Sequence, residues 1–287
     1  METKKKKKKS RLGDTWKRLK KNKIAVASGV LIILIILMAV FAPIISPYPY
    51  DKQNLQNSFA PPSGEHLFGT DKLGRDVLSR MIYGARQSLQ MGIMAVAIAA
   101  VLGVTVGSIA GYYGGWTDNI IMRLLDIYQS VPMFLLCVTL AAVLGPSLRN
   151  AILAIGVSSI SGYARLMRAS ILTIRETEYV EAAKAVNSGS VRIILKHIVP
   201  NAIAPLIVSI TMSMGSMILA GAGLSFIGLG AQPPIPEWGA MISDARNYMR
   251  DHGNLALYPG IFVMITTLAF NLLGDGLRDA LDPRLKN

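Results

Sequence analysis

Glu178-Tyr-Val-Glu-Ala-Ala-Lys-Ala-Val-Asn-Ser-Gly189, followed directly by Ser190-Val-Arg-Ile-Ile-Leu-Lys-His-Ile-Val-Pro200, is a polar break between two apolar spans. It reads as two short amphipathic helices around an Asn-Ser-Gly turn, with a proline ahead of the next apolar run. Asn187 is the best residue after glycine for a left-handed turn, and Gly189 ends the break between the helices. Glu178 and Glu181 are three apart and share a helix face. Ala182, Ala183 and Ala185 keep one side slim enough for close approach. An ordinary amphipathic helix at the membrane surface is the plain alternative. A chain otherwise this apolar keeps such a hairpin where something in water docks onto it.

The apolar setting is clear from composition. The chain has 287 residues, 52% of them hydrophobic and 16% charged, and its mean hydropathy is +0.42. Soluble domains carry about a quarter charged residues. The net charge of +13 does not indicate nucleic acid, because 12 of the 30 basic residues lie in Lys4–Lys9 and Arg11–Lys23, directly before an apolar block. That placement is a cytoplasmic anchor attracted to anionic lipid. The single cysteine, Cys137, lies in an apolar run and excludes an internal disulfide. The apolar stretch after the basic tail is too long for a signal peptide and is followed by Pro43 to Pro49, so an uncleaved first span is expected.

Six segments have the length a membrane span needs, about 20 apolar residues: Ile24–Ala42, Ser88–Tyr112, Ile120–Leu144, Ala151–Ile171, Ala202–Leu224 and Leu257–Leu273. The first is a clean apolar block and reads as a peripheral helix. The others are rich in small residues, as in Gly103-Val-Thr-Val-Gly107, and read as a packed five-helix bundle. The expected fold class is therefore an all-α polytopic membrane protein with six transmembrane helices. With the N-terminus inside, the inner segments hold 22 of the 30 basic residues and the C-terminus is also inside. Both termini and the Glu181 hairpin then face the cytoplasm. Five of the eight outer basic residues lie between Lys52 and Arg86, partly offset by Asp51, Glu65, Asp71 and Asp76. The organisation expected is a basic cytoplasmic tail (1–23), a first span with an outer loop (24–87), and a five-helix core (88–287) whose cytoplasmic loop covers about 172–200. A second outer loop, Ser225 to Tyr258, holds three prolines that extend the backbone and Trp238, which suits a membrane–water interface.

Other candidate chemistry is sparse. Arg123 and Asp126 are three apart in the third span; such a pair is either a functional intramembrane ion pair or a local interfacial one. His66, His197 and His252 have no metal-ligand spacing. Ser158, Ser159 and Ser161 have no His or Asp arrangement near them, so hydrolase chemistry is unsupported. No phosphate-binding loop is present, nor any Gly-Lys pair, so ATP would be bound by another subunit. A secondary transporter would show inverted repeats and buried ionisable groups; only Asp126 fits.

The hairpin resembles the EAA loop of ABC importer permeases. Glu181-Ala182-Ala183, Ile198 and Pro200 match at the family's spacing, with Asn187 where glycine is usual and Val199 where leucine is. Gly69-Thr-Asp-Lys-Leu-Gly-Arg-Asp-Val-Leu-Ser-Arg80, Gly84 to Leu89, Leu224 to Gly230, Pro233 to Gly239 and Asn271 to Pro283 are similar to stretches of the dipeptide, oligopeptide and nickel permeases, C-type subunit. The resemblance spans about residues 24–285. It implies a type I importer (MetI-like) core, and a hairpin whose Glu178, Glu181, Ala182, Ala183, Asn187, Gly189, Ile198 and Pro200 couple to an ATPase. It also implies a machine containing a second, B-type permease, two cytoplasmic ABC ATPases that carry ATP and Mg, and an extracytoplasmic solute-binding protein in a bacterial cytoplasmic membrane. Peptides, nickel chelates and glutathione-like solutes all suit that subfamily.

Overall fold

The computed structural model describes residues 11–281. The lysine run Lys4–Lys9 and the tail around Pro283 lie outside them. All named elements among the described residues are helical. They are α1 (Arg11–Leu19), α2 (Lys23–Val40), α3 (Ala42–Ile45), α4 (Val77–Tyr113), α5 (Gly115–Gln129), α6 (Met133–Leu144) and α7 (Leu148–Ser158). There follow α8 (Ile160–Ile174), α9 (Glu178–Ala185), α10 (Ser190–Ile193), α11 (Val199–Phe226), α12 (Trp238–Ala245) and α13 (Asn254–Leu281).

Every expected span falls on helix, but the spans differ in kind. By length and composition, α2, α4, the run Ser190–Phe226 and α13 can each cross a membrane. A fifth span exists if α5 and α6 are one segment bent by 83°. The break between them is Ser130 to Pro132, where proline removes a backbone donor and restricts the residue before it. The expected span Ala151–Ile171 is divided into α7 and α8 at Ser159. α4 starts at Val77, well before the expected Ser88, because the Asp76 carboxylate caps it by accepting from the Ser79 N–H at 2.7 Å. At 1.5 Å per residue its 37 residues reach about 55 Å, so its first turns project beyond a hydrocarbon core of about 30 Å.

Packing follows the small residues. The α4–α8 pair makes the most extensive helix contact. Gly103, Gly107 and Gly111, one turn apart on α4, lie against Tyr163, Ala164 and Ile171 of α8. A Cβ on Gly103 would stand 2.8 Å from the Ile160 carbonyl oxygen, and one on Gly107 would overlap the Ala164 carbonyl. The glycine spacing is therefore a packing seam. The first span, α2, packs on α13 and α4 and is the least buried of the four long helices. Ile24, Val30, Ile33, Leu34, Leu37 and Val40 remain exposed on its outer side.

The segment that leads into α4 is held by charge. Asp71 accepts from Arg75 Nε at 2.7 Å and lies 3.5 Å from Arg80 Nε, while Lys72 reaches Asp244 of α12 at 3.4 Å. Three of the five cations between Lys52 and Arg86 are thereby paired. Trp238, expected at an interface, is instead 0% exposed; its Nε1–H donates to the Met81 carbonyl at 3.1 Å. Gly84 leaves room for the ring, since a Cβ there would stand 2.8 Å from Trp238 Cδ1. The neighbouring Glu237 is also buried, accepting from Ser88 Oγ at 2.9 Å and from the Ala240 N–H at 3.0 Å.

Candidate functional site

The hairpin forms as α9, a turn, and α10, which runs on into α11. α9 ends in a Schellman motif: the Ser188 N–H donates to the Ala183 carbonyl at 3.1 Å and the Asn187 N–H to Lys184 at 2.9 Å. The motif needs one left-handed residue, and Asn187 supplies it with φ 54°. Gly189 has φ −60°, so it sits in ordinary extended backbone open to any residue. Between α10 and α11, Ile194–Ile198 widens into a π-turn, with the Val199 N–H donating to Ile194. Pro200 explains it, because a proline in a continuous helix lacks the N–H that would bond one turn back, and a π-turn relieves the ring's clash there. Asn201 Nδ2 then donates to the His197 carbonyl at 2.7 Å.

Sidedness follows from burial. Val180, Ile193 and Ile198 are 0%, 1% and 0% exposed and anchor the hairpin to the bundle. Ala183 turns inward with them, at 7% exposed, and is not part of the slim outer side expected from sequence. The outer stripe is Glu178, Glu181, Ala182 and Ala185, all exposed and spaced as one helix face. Neither glutamate forms a salt bridge among the described residues. Val186, Val191 and Leu195 are 76%, 67% and 62% exposed beside them. Two bare carboxylates among small and apolar side chains form a surface that lacks a partner among the described residues. Lys184 reaches back over the Tyr112 ring at 6.0 Å, and Arg175 donates to the Gly111 carbonyl at 3.2 Å, so the hairpin sits at the end of α4.

The intramembrane pair expected from spacing is rearranged. Asp126 bonds Arg165 of α8 at 2.8 Å rather than Arg123, which lies exposed on the same helix. Spacing along α5 could show only its own neighbours; the cation that faces Asp126 comes from α8. A second pair on the same two helices was missed in the sequence. Arg168 Nε and Nη2 each donate at 2.5 Å to Asp118, 8% exposed. The signal was two acids eight apart, Asp118 and Asp126, with two cations, Arg165 and Arg168, inside a later apolar span. Together the pairs clamp α5 to α8, the helix that leads directly into α9.

Long apolar helices, a bent helix pair and a bare polar hairpin inserted between spans define a polytopic membrane transport subunit. Residues 103–287 match the family described as "Binding-protein-dependent transport system inner membrane component", and residues 10–62 match the "N-terminal TM domain of oligopeptide transport permease C". The chain is 47% identical over 274 residues to a "Dipeptide transport system permease protein DppC" from Alkalihalophilus pseudofirmus, covering 96% of this chain and 90% of that one. It is 43% identical over 275 residues to a "Glutathione transport system permease protein GsiD" from Escherichia coli, covering 94% and 90% respectively. In fold it is similar to a chain of the MetNI methionine ABC transporter in an inward-facing conformation, with a TM-score of 0.58 at 18% identity, over 71% of this chain and 96% of that one.

The chain belongs to the family of binding-protein-dependent inner membrane components. It is a non-catalytic, membrane-spanning permease of a bacterial ABC importer, of the C type found in peptide permeases.

Proposed function

We propose that this chain forms half of the translocation pathway for a peptide-like solute and is driven through the α9–α10 hairpin. The observation that carries the proposal is the bare outer stripe of Glu178, Glu181, Ala182 and Ala185, flanked by exposed Val186, Val191 and Leu195. An unpaired carboxylate pair ringed by apolar side chains suits a groove on a soluble partner with complementary charge. In the proposed machine that partner is one of two ABC ATPases, which bind ATP and Mg. A second, B-type permease completes the pathway, and an extracytoplasmic binding protein delivers the solute. The names of the relatives support dipeptides and glutathione-like solutes as the substrate class.

Orientation rests on charge. With the hairpin and both termini in the cytoplasm, 22 of the 30 basic residues lie inside. Residues 1–23 then form a tail on anionic lipid, 24–87 a first span with its outer loop, and 88–287 the core. Movement passes along α8. Its upper end sits at the Ser159 break, its flank is seated on the glycine seam of α4, and its lower end leads into α9. Closure of the ATPases displaces α9, and α8 carries that displacement to the middle of the membrane. The states before and after are the two conformations that nucleotide biases.

Uptake into vesicles tests this. Solute entry should require ATP and persist when ion gradients are collapsed. Glu181→Lys should abolish entry with the protein still in the membrane, since a reversed charge at a docked position costs about 2–5 kcal/mol. Normal uptake by that variant would refute the docking role.

A further inference from the structure

The two helix breaks meet at one place. Ser130–Pro132, between α5 and α6, and Ser159, between α7 and α8, both border a concavity of about 550 Å³. α11 supplies the facing wall through Ser209, Ser213 and Ser216, near the middle of that helix. Tyr128, Gln129, Ser158, Ser159, Ser161 and Tyr163 complete the polar lining, and no charged side chain among the described residues borders it. Tyr128 bridges the breaks by donating to the Val157 carbonyl at 2.8 Å.

Two features show that this is a built polar site. Ser158 and Tyr163 are 5% and 3% exposed, and Ser158 lies beside the Tyr128 hydroxyl. Ser209 and Ser213 face the Tyr163 hydroxyl from α11. Hydroxyls from α5, α7, α8 and α11 thus gather at one wall, and a cluster of that kind inside apolar spans is kept where polar groups meet it. Irregular backbone at membrane depth is likewise tolerated where it lines a water-filled cavity or is covered by protein. Both features converge on one surface.

We propose that this concavity is where the subunit holds its solute in transit, and that it takes uncharged hydrogen-bonding groups, namely the main-chain amides of a short peptide. The inference rests on the functional reading above. Each hydroxyl can both donate and accept, so a serine wall can meet N–H and C=O groups alternately. The lack of lining charge means that side-chain charge is not selected here. The volume lies within the range of about 300–1,000 Å³ usual for small-ligand sites. A dry contact with the second permease is the competing use of the surface.

The test uses the whole reconstituted importer and a labelled glycine dipeptide. Tyr163→Phe, Ser209→Ala and Ser213→Ala combined should lower dipeptide uptake per ATP hydrolysed about tenfold, which corresponds to roughly 1.4 kcal/mol. Ser213→Thr, which keeps a hydroxyl, should keep the ratio. In a Cys137→Ser background, Ser213→Cys should react with a small methanethiosulfonate cation, because the cavity holds water. An unchanged uptake ratio in the triple variant would overturn the proposal. So would a Ser213→Cys that stays unreactive with and without ATP, which would mark a dry interface. A wild-type complex that hydrolyses ATP but takes up no dipeptide would refute the functional reading instead.

Discussion

The glycine seam between α4 and α8 allows a controlled test of how the core is assembled. The perturbation is a single methyl group, added by Gly107→Ala or by Gly260→Ala. At Gly107 the new Cβ would overlap the backbone of Ala164, which cannot rotate away as a flexible side chain could. The helices must separate, and such overpacking costs about 1–3 kcal/mol. At Gly260, inside α13, nothing lies within 4 Å of the new Cβ. There the same change relieves the backbone entropy cost of glycine in a helix, worth up to about 1 kcal/mol. At about 2–4 °C per kcal/mol for a chain of this size, Gly107→Ala should lower the melting temperature of the purified subunit by roughly 2–12 °C. Gly260→Ala should leave it unchanged or raise it by up to about 4 °C. Intrinsic fluorescence during a thermal ramp reads both. Equal shifts for the two variants would refute the seam. Gly107→Ala should also weaken coupling, because α8 leads directly into the hairpin.

Further outcomes follow from the site. Asn187→Gly should be neutral, whereas Asn187→Val should lose about 1–2 kcal/mol through its left-handed φ; thermal melts of the two variants decide it. A double-mutant cycle on Asp118→Asn and Arg168→Gln should give a coupling of about 1–3 kcal/mol. The same cycle on Asp126 and Arg165, whose side chains are 53% and 43% exposed, should give less than about 1 kcal/mol. In a Cys137→Ser background, cysteines at Ser58 and Asn247 should react with an impermeant thiol reagent from outside intact cells. One at Val186 should react only after the membrane is opened.

The apolar blocks and the hairpin were legible because both are written in composition: long runs of apolar residues, then a stretch that breaks them. The left-handed turn at Asn187 was legible because few residues accept that backbone. What composition does not record is facing. Ala182 and Ala183 are adjacent and identical, yet one points outward and the other is packed under the hairpin. Asp126 looked to Arg123 because sequence shows neighbours along one helix, while its partner arrives from α8. Trp238 has the chemistry of an interface residue, and only the gap left by Gly84 on another helix explains its burial. The breaks at Ser130–Pro132 and Ser159 lie within apolar runs, so hydropathy passes over them smoothly. The serines that meet across the concavity come from separate helices, and no spacing in the chain relates them.

The most direct test of the coupling role is a cross-link from the hairpin's outer stripe. Ala182→Cys, in a Cys137→Ser background, should link to the co-purified ATPase through a short bifunctional maleimide, and the yield should change when ATP is added. Asn247→Cys, which the proposed orientation places on the opposite side of the membrane, should give no such product. A complex that still hydrolyses ATP in response to loaded binding protein, yet gives no ATPase cross-link from Ala182 or Ala185 in any nucleotide state, would contradict the account.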